Sequence, residues 1–423
     1  MTYGRCASEP RHNIKFGHLQ LNSLNTDLQG VLPLMPEASA RETALSKIDA
    51  VNLAQYARTR NALDGRVSRL SPYMTHGITD VPEVISRLTS RTRIGWEDKF
   101  SFELGWREYF HHVWRIKRDD IWRNQRPLPA DGVVAYALEL PEDIINATTG
   151  VAIIDAQIRE LYATGYLHNH ARMWIACYVV HIRKVDWRAG ARWMYGHLLD
   201  GDLASNTLSW QWVAGTWTGK PYLFNADNVE KYAPGFDHAG TAIDSTYEAL
   251  DEIARHRPAI REAPQRRASL LPSMPPPWIT PSQIPELARE HGLEVLDSPP
   301  AKFAGRLMHP WSLRRSDQTL SIGLIVPAFH LAFPWNAQRW RFVLKAMREC
   351  CDSVWIVSET TNSAPESISV SHTLNPHYME FIEASVALGA TAIAPPTAFI
   401  DPEKFHRSFS SFWNLASKEK FPQ

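Results

Sequence analysis

Aromatic rings and charged side chains alternate within one stretch of the chain, residues 165–217. Six tryptophans lie in it, and the polar side chains between them are His168, Asn169, Arg172, Asp200, Asp202 and Asn206. A simple helical core buries aliphatic side chains rather than indoles and ions. Buried indoles need hydrogen-bond partners, and a buried aspartate needs a cation beside it. The stretch therefore predicts a pocket for a large, flat, redox-active cofactor.

The spacing of these polar residues predicts which of them meet. Asn169 and Arg172 are three residues apart, and Asp202 and Asn206 are four apart, so each pair shares one helix face. An ion pair between Arg172 and Asp200 would set a compensated charge against the cofactor. The alternative is a buried structural ion pair with no ligand beside it.

A second polar group precedes this stretch, in the sequence SRLSPY. It brings two hydroxyls and a guanidinium to a turn that enters a helix, at Ser68, Arg69, Leu70 and Ser71. Amides at a helix start, helped by Ser and Arg, form an anion site suited to a pyrophosphate. The alternative is a helix N-cap followed by a proline in the first turn.

The composition narrows the class of protein. Lys+Arg and Asp+Glu both number 45, so the formal net charge is zero. This balance disfavours a protein that binds polyanions over its whole surface, but it is compatible with one local basic face. The four cysteines have neither the spacing of a disulfide framework nor that of a metal site, so we expect no metal. The sequence has no signal-peptide core and no 18-residue apolar run, which predicts a soluble cytoplasmic protein without a membrane partner.

The pattern of apolar and polar residues along the chain predicts a mainly α fold, in which a helical domain is followed by a smaller α/β domain. The predicted parts are a polar arm (1–40), the helical domain (41–262), a proline-rich linker (263–310) and the α/β domain (311–423). Three consecutive prolines in SMPPPW exclude a helix or central strand there. Beyond residue 320, short apolar runs alternate with helical stretches, as in a parallel sheet. No glycine-rich nucleotide motif accompanies those runs.

A series of motifs between residues 56 and 231 resembles the FAD-binding domain of the DNA photolyase/cryptochrome family. They are YARTRN, VSRLSPYM, ELGWREYF, TGVAIIDAQIREL, GYLHNHARM, DWRAG and DGDLASNTLSWQW, in the family's order and at near-constant spacing. The resemblance implies an all-helical FAD-binding domain and FAD as the cofactor. The FAD contacts that it implies are Tyr56, Ser68, Arg69, Leu70, Ser71, Asn169, Arg172, Asp200, Asp202 and Asn206.

Two of these positions carry further expectations. The resemblance implies that Asn206 faces the redox-active ring nitrogen, where a neutral amide does not repel an anionic reduced flavin as an aspartate would. The chain therefore resembles the photolyase version of the family, with a fully reduced working state. Val67 stands where relatives commonly carry threonine, so one phosphate contact is expected to be missing.

Trp210 and Trp187 match the first two members of the family's electron-transfer chain. The third, outermost position aligns with Ile144, which cannot carry an electron. Trp174 or Trp193 could offer another exit. Without the resemblance, all of these indoles would be interpreted as core packing.

The resemblance also implies a pocket for a flipped pyrimidine dimer, formed by Glu103, Trp106, Met173 and Trp212, with Arg107 beside it. Extruded bases need flat stacking partners and a polar group for the base edge. The implied activity is light-driven repair of pyrimidine dimers in DNA by an electron from the reduced flavin. The alternative for WREYF is a buried amphipathic helix.

Several differences from the family's sequence pattern leave other functions open. The segment TWTGKPYLFNADN is shorter than in relatives and lacks an arginine that contacts DNA in them. Lys220 could partly substitute for that arginine. In the HNH motif, His170 replaces another basic group. Because the helical motifs start within about 55 residues, we expect no N-terminal antenna domain. The trailing α/β domain would be its rearranged counterpart, and a second antenna chromophore stays open. The alternatives to repair are a cryptochrome-like blue-light photoreceptor and a dark flavoprotein or degenerate scaffold.

Overall fold

The computed structural model describes residues 38–261, 272–300, 303–315, 319–358 and 368–417. Almost all of the predicted N-terminal arm, and residues 263–271 of the predicted linker, lie outside these ranges. The described residues from 39 to 417 form one compact unit, so the two predicted domains pack as a single body.

Helices make up the first part of this unit. They are α1 Ala40–Asp49, α2 Leu53–Thr59, α3 Ser71–Thr75, α4 Val81–Thr89, α5 Lys99–Lys117, α6 Glu142–Ile145, α7 Ala152–Thr164, α8 Asn169–Cys177, α9 Trp187–His197, α10 Leu203–Ala214, α11 Ala226–Tyr232 and α12 Tyr247–His256. A 3₁₀ helix, Arg118–Trp122, follows α5, and a π-helical turn, Tyr178–Ile182, follows α8.

Local signals explain where several of these helices begin and end. Ser39 and Glu42 form a capping box at α1, and the Asp202 carboxylate accepts from the Ser205 amide at the start of α10. Helix α7 ends at Gly165, whose φ of 67° is left-handed and costs glycine little.

The second part of the unit is built on a six-stranded sheet in which every paired strand is parallel. Its elements are the 3₁₀ helix Pro281–Gln283, α13 Ile284–Glu290, β1 Glu294–Leu296, β2 Gly305–Met308, β3 Ser321–Ile325, α14 Pro327–Ala332, α15 Ala337–Cys350, β4 Ser353–Ile356, β5 Ile368–Ser371, α16 Tyr378–Ala387, β6 Thr391–Ile393 and α17 Phe409–Ala416. The strand order is β1-β4-β3-β2-β5-β6, with Gly323 of β3 opposite Val354 of β4.

The sheet begins earlier in the chain than predicted. Helix α13 and strands β1 and β2 all fall inside 263–310, the predicted linker. Strands of three or four residues are too short to show a periodic pattern, and parallel partners lie far apart in sequence. The α/β part therefore extends over most of the described linker. The described residues therefore form a helical part and an α/β part with six strands, as predicted, whereas the prediction of a mainly α fold is not confirmed.

Helix α15 joins the sheet to the helical part through a buried arginine. Arg339 is fully buried, and it donates to the carbonyl oxygens of Tyr195 and Gly201 at 2.7 and 2.6 Å. Its guanidinium also lies 4.0 Å from the centre of the Trp335 ring. A Cβ at Gly201 would collide with this guanidinium, so the close approach requires glycine there. The turn between α9 and α10 is thus held from the α/β side.

The last described helix returns to the helical part. Trp413 of α17 packs against Gly105 of α5, where any Cβ would collide with the indole. Phe409, the first residue of α17, stacks on Trp106 of α5 with ring centres 4.0 Å apart and planes 10° apart. The C-terminal helix consequently covers one face of an indole predicted to bind substrate.

Candidate functional site

A cavity of about 320 Å³ opens between α2, α3, α5, α8 and α10. Its lining includes every residue for which the resemblance implied an FAD contact: Tyr56, Ser68, Arg69, Leu70, Ser71, Asn169, Arg172, Asp200, Asp202 and Asn206. Glu103, Trp106, Met173 and Trp210 also line it. Five helices, and the turns before α3 and α10, therefore bring these side chains to one place.

The turn before α3 forms one end of this cavity. Arg69 has a φ of 52°, which is uncommon for a side chain with a Cβ, and it is exposed. Its guanidinium lies 5.1 Å from the centre of the Tyr166 ring. Leu70 is buried beneath it, so the turn has an apolar anchor and a cationic outer side. Hydroxyls and a guanidinium at such an end could hold phosphate oxygens.

Arg172 and Asp200 form the ion pair that was expected from the need to compensate buried charge. Arg172 Nη2 lies 2.7 and 3.0 Å from the two carboxylate oxygens, and the Arg172 Nε donates to the Leu167 carbonyl at 3.1 Å. Only 3% of the Asp200 side chain is exposed, against 25% of the Arg172 side chain. Burial opposes the charge on Arg172, but Asp200 outweighs it and raises the arginine's pKa. The carboxylate consequently depends on this arginine for its charge compensation.

Asp202 has a different partner. His111 of α5 lies 3.1 Å from its carboxylate, which also caps α10. Burial opposes ionisation, but the interactions with His111 and Arg107 prevail and hold the pKa of Asp202 well below its usual value. Asp202 therefore stays ionised and fixes the start of α10 rather than neutralising Arg172.

Asn206 is buried one turn into α10 and lines the cavity. Its amide nitrogen donates to the Ala191 carbonyl at 2.8 Å. That bond leaves the amide oxygen available among the described residues, as an acceptor for an N–H group. On α8, the Asn169 amide lies 3.5 Å from the Met173 sulfur.

Glu103 lies across the cavity from α8 and forms an ion pair that the sequence reasoning missed. Arg60, at the end of α2, donates to its carboxylate at 2.6 Å. Burial raises the pKa of Glu103, although Arg60 and Lys99 act in the opposite direction. A carboxyl group with a raised pKa can donate as well as accept a hydrogen bond at the edge of a base. YARTRN contains this arginine, but its partner lies 43 residues away and the sequence gives no register between them.

A second cavity, of about 420 Å³, adjoins the first at Trp106 and Phe110. Trp212 lines this cavity and not the first, so the four predicted substrate residues do not share one pocket. Trp106 borders both spaces. Two arginines absent from the predicted set, Arg126 and Arg407, line the second cavity, whereas the exposed Lys220 lines neither.

The predicted relay indoles are buried in the helical part. Trp210 lines the first cavity, and its ring packs so closely on α9 that a Cβ at Gly190 would collide with it. Trp187 lies on α9 one turn before Gly190 and lines neither cavity. Its indole nitrogen donates to Asn124 at 2.8 Å.

The positions considered for the outer end of the relay are buried. Ile144, aligned with the outermost position, has no exposed surface, so that position does not reach the solvent. Trp174 is also fully buried, and Trp193 is 8% exposed and hydrogen-bonded to the Tyr162 hydroxyl. Both indoles are therefore largely shielded from water.

His170 does not act as a basic group. It stacks on Trp174 with ring planes 1° apart, and burial lowers its pKa. A histidine with a depressed pKa is uncharged at neutral pH. The substitution predicted to replace one base by another therefore removes a positive charge from this face.

Comparison with known proteins identifies the helical part. Residues 100–271 match the model for the FAD binding domain of DNA photolyase. Over these residues the chain is similar to the FAD-binding domain of the photolyase/cryptochrome family. A deoxyribodipyrimidine photo-lyase of Streptomyces griseus is 36% identical over 173 residues, which are 39% of this chain and 36% of that protein. Cryptochrome DASH, chloroplastic/mitochondrial, of Ostreococcus tauri is 32% identical over 213 residues, or 48% of this chain and 37% of that protein.

The similarity covers only part of each relative. The chain spans less than half the length of both curated proteins. Among solved structures, an archaeal photolyase from Sulfolobus tokodaii aligns with a TM-score of 0.40 and 24% identity, over 55% of this chain and 52% of that one. Within the described residues, no helix is both long and apolar enough to cross a membrane.

The side chains around the first cavity of this FAD-binding domain are chemically suited to the cofactor. The cationic turn at Arg69 could hold the pyrophosphate, and the available oxygen of Asn206 could accept from the flavin ring. The ion pair of Arg172 and Asp200 could contact the ring without adding net charge.

Proposed function

We propose that this protein uses FAD and blue light to split pyrimidine dimers in DNA. The observation that carries the proposal is the convergence of the Arg172–Asp200 pair, Asn206, Glu103 and Trp106 on one cavity of a photolyase-type domain. When bound and reduced, FAD would supply the light-excited electron donor for this reaction.

The chain's own residues would position the lesion. Trp106, half-buried at the junction of the two cavities, would stack on an extruded base, and Trp212 would offer a second flat surface across the adjoining space. Glu103, held by Arg60, would bond the base edge. Arg126 and Arg407 would supply the positive charge toward the DNA backbone that the shortened segment after α10 lacks. The buried walls of the first cavity would exclude water from the flavin.

The flavin part of the proposal predicts the behaviour of Trp210→Phe. The substitution nearly preserves ring area, so FAD is expected to stay bound while photoreduction of the oxidised protein by an external thiol slows. Absorption spectra before and after blue light measure both quantities. Trp193→Phe, a buried indole that lines neither cavity, is the matched control and is expected to leave the rate unchanged. Equal rates in wild type and Trp210→Phe would remove this indole from the electron path.

The repair part predicts a gain from Phe409→Leu. Phe409 occupies the Trp106 face on which a base would stack, so a dimer must displace it. Leucine keeps α17 packed but stacks poorly, and because base–aromatic stacking contributes about 1–3 kcal/mol, the affinity for dimer-containing oligonucleotides is expected to rise by about 5- to 150-fold. Binding titrations with damaged and undamaged oligonucleotides measure this change.

Leu415→Ala, on the exposed side of the same helix, controls for general loosening of α17 and is expected to leave binding unchanged. If Phe409→Leu binds damaged and undamaged DNA equally, Trp106 is not a lesion platform.

A photoreceptor without repair activity is the second candidate, and the stacking of Phe409 on Trp106 favours it. In that case α17 would stay closed over α5 in the resting state. The discriminating experiment illuminates the fully reduced protein with dimer-containing DNA. Loss of dimers only in the light supports repair, and light-dependent flavin reduction without loss of dimers supports the photoreceptor.

A further inference from the structure

The tryptophan relay lacks a described route to solvent at the positions that the sequence suggested. This inference rests on the proposed function, because a relay has a purpose only if FAD is photoreduced beside Trp210. Ile144, Trp174 and Trp193 are all buried. An electron drawn through Trp187 must be replaced from outside, so another ring has to connect Trp187 to the surface.

Trp122 is in contact with Trp187. The two indoles are parallel within 6°, and their centres lie 6.1 Å apart. Trp122 is the last residue of the 3₁₀ helix that follows α5, and it is half-buried whereas Trp187 has no exposed surface. Asn124, two residues further on, accepts from the Trp187 indole nitrogen and fixes that ring against the segment.

We propose that Trp122 is the surface end of the electron relay. One electron passes from Trp122 to the oxidised Trp187, which restores Trp187 and leaves a radical cation on Trp122. The indole N–H of Trp122 then loses its proton to water, which gives a neutral radical. A small thiol returns one electron and one proton, and Trp122 is restored.

Solvation gives this transfer its direction. A positive charge is costly on a fully buried ring and less costly where water reaches the ring. A guanidinium lies over each indole, Arg188 at 4.9 Å from Trp187 and Arg192 at 5.5 Å from Trp122, so the arginines do not favour either ring strongly. Exposure is the remaining difference, and it favours the charge on Trp122. Proton loss to water at this half-buried ring then prevents the electron from returning.

Trp122→Phe tests the proposal, with Trp193→Phe as the matched control. Transient absorption of the flavin-loaded protein is expected to show a long-lived neutral indole radical in wild type and in Trp193→Phe. In Trp122→Phe that radical is expected to be lost and photoreduction by a thiol to slow. Flavin content and melting temperature, measured on each variant, report whether the fold is intact.

A second readout does not need the cofactor. Hydroxyl-radical footprinting of the flavin-free protein, mapped by mass spectrometry, is expected to oxidise Trp122 and to spare Trp174 and Trp187. A long-lived radical that persists in Trp122→Phe, or a Trp122 that is protected from footprinting, would overturn the proposal. If Trp210→Phe also photoreduces at the wild-type rate, the relay itself fails; if only Trp122→Phe does, the exit lies elsewhere.

Discussion

Replacing Arg172 by alanine is expected to lower the free energy of unfolding of the flavin-free protein by about 3–5 kcal/mol, because it leaves a buried carboxylate without its partner. The Asp200 side chain is 3% exposed, and Arg172 bonds both of its oxygens. Urea unfolding measures the change, and the FAD content of the purified variant is expected to fall with it. The FAD content is expected to fall for two reasons. The cavity wall that would contact the flavin loses its order, and the fold as a whole is less stable.

A surface pair provides the control. Arg87 bonds Asp49 in a similar two-oxygen arrangement, but more than a third of each side chain is exposed. Arg87→Ala is expected to cost about 1 kcal/mol or less. The double variant Arg172→Met with Asp200→Leu removes the stranded charge and is expected to be more stable than Arg172→Ala. Equal stability of wild type and Arg172→Ala would show that the pair does not hold the charge.

Arg339→Met is expected to weaken FAD binding from a position outside the cavity. The guanidinium bonds the carbonyls of Tyr195 and Gly201, and Gly201 lies between the two cavity aspartates. Methionine keeps most of the apolar stem but leaves both carbonyls unpaired. Since a hydrogen bond to a charged group contributes about 1.5–3 kcal/mol, a loss of roughly 3 kcal/mol or more is expected in unfolding.

The neighbouring Arg341 lies exposed on the same helix and serves as the matched control. Arg341→Met is expected to change stability by about 0.5 kcal/mol or less. Fluorescence titration of the apoprotein with FAD separates the two effects. If Arg339→Met loses stability but binds FAD with unchanged affinity, the arginine supports the fold without positioning the turn.

The sequence predicted the helical part and the members of the first cavity because their signals are local. Helical spacing, a glycine stop at Gly165 and the four-residue separation of Asp202 and Asn206 can all be recognised within one or two turns. The pairing of Arg172 with Asp200 followed from the cost of burying either charge alone. These predictions depended on short-range geometry and on compensation of charge.

The features that the sequence did not predict depend on long-range contacts. Phe409 meets Trp106 only because α17 returns to α5, some 300 residues along the chain. Strands β1 and β2 lie in a segment whose prolines suggested a linker, and their parallel partners follow much later. No pattern in the sequence singles out Trp122. Only its position beside Trp187 in the folded chain distinguishes it from the other indoles.

Arg339 of α15 holds the turn between α9 and α10, and this contact affects when the flavin pocket can form during synthesis of the chain. The helical part leaves the ribosome first, whereas Arg339 is made well over a hundred residues after Gly201. N-terminal parts of a chain generally fold as they emerge. We therefore expect the nascent helical part to hold an incomplete flavin pocket, and stable uptake of the cofactor to wait until α15 has been translated.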